Sequence, residues 1–182
     1  MIAEELINQM VPPLKTTDAA QQALNWMEKF RVTQLPVIDS DLSYKGLINE
    51  NTILEAGDTD KIISDLSIEF ADVYASPQTH FYDVIKLAIK NKLQLVAVVA
   101  DDKKFLGVIS VNDTSSAIAQ MFASQGQGGI LVLSLREKDY SLSEVSRLVE
   151  SNDAKILSAF VVEDESDSGN IKLTLKLNKT DL

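Results

Sequence analysis

Apolar residues recur at helical spacing in two separate stretches of the chain. Positions i, i+3, i+4 and i+7 share one face of an α-helix, so such a series predicts an amphipathic helix. A shift of 61 positions superposes one series on the other: Ala20, Ala23, Leu24 and Met27 on Phe81, Val84, Ile85 and Ala88. The pattern predicts two equivalent helices, one running from about Ala20 to Arg31 and the other over 81–90. We expect Asp18 and Gln21 to cap the first, since the Gln side chain can reach back to the N-cap.

Two short β-rich runs follow each of these helices, and they obey the same shift. They predict strands over 35–38 and 46–48 after the first helix, and over 95–99 and 105–110 after the second. A further helix follows the last strand, with Asp113 expected as its N-cap. The chain thus contains an internal repeat of helix, strand, turn, strand and helix, with repeats of about 1–62 and 63–124.

The pattern changes after residue 124. Segment 125–129 is rich in glycine, which is typical of a flexible linker and a domain boundary. Residues 130–182 then read as strand, helix, strand, strand, with Ser141 and Glu144 forming a capping box at the start of the helix. The last run, 171–177, alternates apolar and polar residues, so one face is expected in a core and the other in water.

Composition excludes several kinds of chemistry. The chain has no cysteine and one histidine, His80, so disulfides, cysteine–zinc sites and most histidine-dependent triads are excluded. Its net charge of −10 disfavours binding to nucleic acid or to an acidic membrane surface. No apolar run approaches the roughly 20 residues of a membrane span, and we expect no secretory signal, because the first residues are acidic and no apolar run follows them. We expect a cytoplasmic protein, because the absence of cysteine fits a reducing compartment. We also expect that it is not an enzyme, because its acidic residues cluster in turns and linkers.

The second repeat carries a motif that resembles a known family. Gly107-Val108-Ile109-Ser110-Val111-Asn112-Asp113 matches the CBS pattern of Gly, two apolar residues, Ser or Thr, two variable residues and Asp. The resemblance covers about residues 1–124 and implies an α/β fold, a tandem CBS pair with pseudo-twofold symmetry. Residues 130–182 resemble, by element order, a truncated βαββ unit of the ACT-like (ferredoxin-like) type. The arrangement also resembles bacterial acetoin-utilisation accessory proteins, which join a CBS pair to an ACT segment.

The CBS resemblance implies a ligand site. In that family an adenosine-containing ligand lies between the repeats, and the motif Asp bonds both ribose hydroxyls, which suits a carboxylate with two acceptor oxygens. Carried over, Asp113 is the ribose acceptor and Ser110 its neighbour, while Thr16 and Thr17 close the cleft. The alternatives are that Asp113 is a helix cap, a role that can coexist with ribose binding, and that Thr16 and Thr17 are turn residues.

This sequence departs from the family pattern in two places. Asn49 and Thr52 replace the Ser/Thr and the Asp of the motif in the first repeat, so the second ribose site is expected to be lost or altered. The positions before the strands, where some relatives hold phosphates with a cation, carry Thr33 and Gln34 in one repeat and Gln94 and Leu95 in the other. With no cation there, a triphosphate is disfavoured. AMP, another adenosyl compound and no ligand at all remain open.

Three functions fit these observations. The first is a regulatory module that binds an adenosine-containing ligand and signals to an unidentified effector protein. The second is a scaffold without ligand, and the third an amino-acid sensor acting through the ACT-like part. The third is weakened because 137–141 lacks the glycine that this family usually has after its first strand. The missing half of the ACT-like unit would leave an open sheet edge, so we expect a homodimer contact there.

Overall fold

The structure is a computed structural model that describes residues 1–180, and it divides into two units, Met1–Thr114 and the residues from Ser115 onward. The helices are α1 (Ala20–Phe30), α2 (Glu50–Ala56), α3 (Phe81–Asn91), α4 (Val111–Met121) and α5 (Leu142–Glu150). The strands are β1 (Leu14–Lys15), β2 (Gln34–Ile38), β3 (Tyr44–Asn49), β4 (Leu95–Val99), β5 (Phe105–Ser110), β6 (Ile130–Arg136), β7 (Ile156–Glu163) and β8 (Asn170–Leu177). Short 3₁₀ turns lie at Ala3–Leu6, Ile63–Asp65 and Glu137–Asp139.

The internal repeat is confirmed, and its elements keep the offset read from the sequence. The bounds of α1, β2 and β3 fall on those of α3, β4 and β5 when 61 is added. Both hairpins have a register shift at the same place, between Val37 and Ile38 and between Val98 and Val99. The left-handed residue that ends each helix also repeats, with φ of 55° at Arg31 and 54° at Lys92. The two halves of the first unit therefore share backbone detail as well as element order.

The segment that leads into each repeat pairs with the other repeat. Asn8 forms a bridge with Val108 on β5, and Glu69 forms the equivalent bridge with Leu47 on β3. After this crossing the chain returns to its own repeat. In the first repeat β1 runs parallel to β2, and in the second Ala75 pairs in parallel with Val98 of β4. Neither repeat completes its own sheet edge, so the two are intertwined.

One hydrophobic core serves both repeats. Its fully buried side chains come in equivalent pairs, such as Leu35 with Val96 and Ile48 with Ile109. Trp26 on α1 is half-buried against the same core. The burial of matched strands from both repeats in a single cluster means that they are stabilised together.

The start of α1 differs from the expectation. Its N-cap is Ala19, which offers no capping side chain. Asp18 instead accepts the Lys15 backbone N–H at 2.8 Å, and Gln21 donates to the Asn25 side chain at 3.0 Å. The predicted Asp18–Gln21 cap is wrong because Asp18 stabilises the turn before the helix. By contrast, Ser141 caps α5 as predicted, accepting the Glu144 N–H at 3.4 Å.

The second unit is built on an antiparallel three-stranded sheet in the order β6-β8-β7. Because α5 connects β6 to β7 and β8 lies between them, the unit is a split β-α-β arrangement closed by a hairpin. Its core joins α5 to one face of the sheet, with Val149, Ala154, Leu173, Leu175 and Leu177 buried. The predicted strands and helix are thus present in the predicted order.

The boundary between the units lies earlier than the glycine-rich segment. The end of α4 packs within the second unit, where the Phe122 and Phe160 rings lie 5.0 Å apart and Ser158 donates to the Phe122 carbonyl at 3.0 Å. Gly129 is hydrogen-bonded to the end of β8 and to the chain just beyond it: its carbonyl accepts the Leu177 N–H at 2.9 Å, and its N–H donates to the Lys179 carbonyl at 3.0 Å. The end of segment 125–129 therefore extends the sheet.

Within residues 1–180, no helix is long and apolar enough to cross a membrane. The same residues contain no group of three or more His, Cys, Asp or Glu side chains placed to hold a metal ion.

We predict that Gly46→Ala strongly destabilises the first unit. Gly46 has φ of +136°, and an added Cβ would lie within 3.0 Å of the Glu69 carbonyl oxygen, which is backbone and cannot rotate away. Strain and overpacking together should cost about 3 kcal/mol. Urea unfolding followed by the fluorescence of Trp26, the single tryptophan, reports on this unit.

Gly57→Ala is the matched control, because Gly57 has φ of +66° and nothing lies within 4 Å of its added Cβ. It should cost about 1 kcal/mol, the penalty of a left-handed alanine. Equal urea midpoints for the two variants would show that the crossing segment does not press on β3.

Candidate ligand site

A cavity of about 550 Å³ lies in the first unit, where four stretches of chain meet. Its lining comes from the leading segment, from the end of α1 and from the start of α4 with the residue before β4. The lining residues are Asn8, Met10, Val11, Phe30, Arg31, Val32, Gln94, Ser110, Val111 and Asn112. The cavity therefore joins the CBS-like motif of the second repeat to the helix end of the first.

Ser110 and Asp113 bind each other reciprocally at the start of α4. The Asp113 carboxylate accepts the Ser110 backbone N–H at 2.8 Å and its hydroxyl at 2.6 Å, while the Asp113 N–H donates to the Ser110 Oγ at 3.2 Å. The helix begins at Val111, so Asp113 lies in its first turn. The expectation that Asp113 is the N-cap is therefore corrected: Ser110 precedes the helix, and Asp113 reaches back as in a capping box.

Asn8 is a third member of this group, and the sequence analysis missed it. Its side-chain N–H lies 3.3 Å from both carboxylate oxygens of Asp113. Because Asn8 lies 105 positions before Asp113, no local pattern links them. The signal that could have found it is the internal repeat, since Asn8 precedes Glu69 by the repeat offset.

The cavity also has a cation at its wall, at a position for which the sequence analysis made no prediction. Arg31 is one of the lining residues, although the positions directly before the strands carry no cation. Its backbone is left-handed, with φ of 55°, where it ends α1. Arg31 follows the last residue of α1 and lies before the start of β2, so it is not one of the positions next to the strands where some members of the family carry a cation. Arg31 supplies one positive charge for an anionic group.

Thr16 and Thr17 lie in the turn that follows β1. The Thr16 N–H donates to the Ile38 carbonyl at 3.0 Å, and the Thr16 carbonyl accepts the Ser64 N–H at 2.9 Å. Neither residue is among those that line the 550 Å³ cavity. The structure thus brings Ser110 to the cavity wall with Asp113 bonded to it, although Asp113 itself is not among the lining residues. It does not bring Thr16 and Thr17 to that wall. A ligand role for these two stays a prediction.

The equivalent place in the first repeat holds a different cavity, of about 450 Å³. Asn49 stands at the position of Ser110 and Thr52 at that of Asp113. Asn49 donates to Glu69 at 2.6 Å and accepts from Gln34 at 2.8 Å. Three carboxylates line this cavity, from Glu50, Glu55 and Glu69. The altered motif of the first repeat is therefore surrounded by carboxylates, which repel phosphate.

A third cavity, of about 530 Å³, lies in the second unit between the end of β6 and the hairpin that precedes β8. Arg136 lines it but is held by Asp139, with Nε and the carboxylate oxygen 2.6 Å apart. The Glu137 N–H donates to the Gly169 carbonyl at 3.0 Å. A glycine thus contributes to this turn from the neighbouring hairpin, although 137–141 has none.

Comparison with known proteins agrees with the geometry. The model of the CBS domain family matches residues 64–120, which contain most of the second repeat. Among curated proteins, inosine-5'-monophosphate dehydrogenase of Methanocaldococcus jannaschii is 21% identical over 149 residues, 82% of this chain. The matched part spans 30% of the length of that enzyme.

Solved structures show the same fold. A CBS domain pair/ACT domain protein from Thermotoga maritima has a TM-score of 0.61 at 17% identity, covering 66% of this chain and 98% of that one. The CBS-pair protein CBSX2, in a complex with AMP, has a TM-score of 0.57 at 20% identity, covering 65% of this chain and 96% of its own; CBSX2 comes from Arabidopsis thaliana. The fold of the repeated unit is that of a CBS domain pair.

Proposed function

We propose that the CBS pair is a regulatory, non-catalytic module that binds an AMP-like, adenosine-containing ligand in the 550 Å³ cavity. The observation that carries this proposal is the Asp113 carboxylate, which is bonded to Ser110 and Asn8, two residues that line the cavity together with Arg31. A carboxylate is suited to a vicinal diol, and a guanidinium to a phosphate. The AMP complex of CBSX2, which has the same fold, is consistent with this ligand class.

The charges favour a monophosphate or an uncharged adenosyl group over a triphosphate. Arg31 is the cation among the residues that line this cavity. The chain carries a net charge of −10, and three of its glutamates line the equivalent cavity of the first repeat. One guanidinium balances a single phosphate group better than the several negative charges of a triphosphate.

The intertwined segments offer a route from ligand binding to a signal. A ligand in this cavity would touch the leading segment, the end of α1 and the start of α4, which belong to different repeats. Ligand binding changes a protein's conformational equilibrium only through contacts that differ between two states. Contacts to both repeats would meet that requirement if the repeats shift relative to each other between two states, and the output would pass to an effector protein.

Removal of the Asp113 carboxylate should abolish AMP binding. Asp113→Ala removes the acceptor of both ribose hydroxyls. Each charge-assisted hydrogen bond of this kind is worth about tenfold or more in affinity, so the loss of both should weaken binding by about a hundredfold or more. Isothermal titration of the full chain with AMP measures the loss.

Asp113→Asn separates this role from the helix cap. It keeps an oxygen for the Ser110 N–H but places an NH₂ group where a hydroxyl would donate. Both variants should lose AMP, and Asp113→Asn should keep a thermal midpoint near that of the wild type. AMP binding at wild-type affinity in both variants would remove the ribose role.

Arg31→Ala should weaken AMP binding by about tenfold and leave the affinity for adenosine unchanged, because it removes only a charge-assisted bond to the phosphate. The control is Lys92→Ala, since Lys92 ends α3 with the same left-handed backbone, φ 54°, and does not line the cavity. Competition titrations with AMP and adenosine give the comparison. Parallel losses for both ligands would assign Arg31 a structural role.

We further propose that the second unit is a truncated ACT-like module that dimerises. In the described chain, β6 and β7 each pair only with β8, so both present an open edge. The sheet face away from α5 exposes large apolar side chains: Ile130, Val132, Phe160 and Val162. A homodimer would cover this surface, whether the protein is a ligand sensor or a scaffold without ligand.

An amino-acid sensor would bind its ligand in the cavity beside Arg136, and titration with free amino acids tests this alternative.

Val132→Asp should shift the protein from dimer to monomer, because it places a charge on the face that would be buried. Val132 is 56% exposed in the single chain, so the variant should fold. Light scattering coupled to size-exclusion chromatography measures the mass. Leu54→Asp is the control, since Leu54 is 58% exposed on α2 of the first unit. A monomeric wild type, or a dimer unaffected by Val132→Asp, would contradict the proposed contact.

A further inference from the structure

The Asp113 carboxylate is already occupied by protein donors. One of its oxygens accepts both the Ser110 N–H and the Ser110 hydroxyl, and the Asn8 amide is shared between the two oxygens. A carboxylate has about four lone-pair sites. A ligand diol brings two donors, so they compete with groups that are present before the ligand arrives.

Asn8 holds the weakest of these bonds. Its donor lies 3.3 Å from each oxygen, whereas the Ser110 donors lie at 2.6 and 2.8 Å. The Ser110 bonds are local to the helix start, while the Asn8 bond is long and bifurcated, and such bonds are weak. The Asn8 amide is therefore the group that an incoming diol displaces first.

The backbone of Asn8 cannot retreat easily to make room. Its N–H donates to the Val108 carbonyl at 2.7 Å, and its carbonyl accepts the Val108 N–H at 3.3 Å. The strand residue beside it, Gly107, has no Cβ, and an added one would lie within 3.0 Å of the Ile7 side chain. This close approach holds the segment against β5, so displacement must occur by rotation of the Asn8 side chain.

The Asn8 side chain is also bonded to the cavity wall. Its oxygen accepts the Met10 backbone N–H at 2.8 Å, and Met10 lines the cavity. Rotation of the amide away from Asp113 therefore disturbs the turn that supports Met10. Binding of the diol to Asp113 is therefore coupled, through Asn8, to the part of the cavity wall that Met10 forms.

The equivalent position in the first repeat has the opposite chemistry. Glu69 stands there and accepts a hydrogen bond from Asn49, where Asn8 donates one to Asp113. Donor and acceptor have changed places between leading segment and motif. The amide that covers a carboxylate is thus specific to the 550 Å³ cavity.

We propose that Asn8 sets the affinity and the ribose selectivity of the CBS cavity by competing with the ligand's vicinal diol for Asp113. This inference rests on the proposed adenosine ligand. A ribose must displace the Asn8 amide to place both hydroxyls on the carboxylate. A 2'-deoxyribose brings one hydroxyl, which the less occupied oxygen accepts while Asn8 stays in place.

The test is titration of the full chain and of Asn8→Ala with AMP and with 2'-deoxy-AMP. Asn8→Ala should bind AMP about fivefold more tightly, the equivalent of one modest hydrogen bond no longer broken. Its affinity for 2'-deoxy-AMP should change less, so the preference for the ribonucleotide should increase. Glu69→Ala is the matched control at the equivalent position and should leave both affinities unchanged.

The outcomes distinguish this inference from the proposed function. If the wild type binds AMP and Asn8→Ala binds it no more tightly, the competition is wrong and the adenosine site stands. If Asn8→Ala binds AMP and the wild type does not, the competition is supported in its strongest form. If neither binds AMP, both proposals are overturned. Where Asn8→Ala fails to fold, Asn8→Ser keeps an acceptor for the Met10 N–H with a shorter side chain.

Discussion

Two glycines in the first unit allow the backbone of one repeat to touch a strand of the other. Gly46 and Gly107 have φ of +136° and +151°, and the space of a side chain is taken by the opposite leading segment. Backbone bonds then join Leu47 to Glu69 at 2.7 and 2.8 Å, and Asn8 to Val108 at 2.7 and 3.3 Å. Because each strand is completed by a segment from elsewhere in the chain, the repeats share one core and depend on each other for stability.

This crossing also determines the chemistry of the two cavities. It brings an amide, Asn8, to the motif of the second repeat and a carboxylate, Glu69, to that of the first. The backbone around both motifs is nearly the same, so the difference is one of side-chain charge. A pseudo-symmetric fold thus carries one cavity lined by Arg31 and by Asn8, which is bonded to the Asp113 carboxylate, and another dominated by glutamates. Such asymmetry favours one occupied anionic ligand site over two.

The second unit has a different balance of surfaces. One face of its sheet is closed by α5, with Leu173 and Leu175 fully buried. The opposite face exposes Ile130 at 72% and Val162 at 51%. Exposed apolar strands next to open edges are a common site of association between chains. The two units therefore divide the proposed roles. The first contains the cavity proposed for the ligand, and the second presents the exposed apolar surface proposed for dimerisation.

The amino-acid sequence by itself determined the repeat offset and the bounds of most helices and strands, which follow from local periodicity. The motif of the second repeat marked Ser110 and Asp113, although their reciprocal bonds were not expected. Local reasoning failed at Asp18, whose carboxylate had a nearer backbone partner, and at Arg31, whose position depends on how a helix end turns. Only the tertiary structure decided that Asn8 meets Asp113 across 105 positions. That contact arises from two segments crossing, and the energy of such packing is distributed over the whole core, so no short stretch of sequence encodes it.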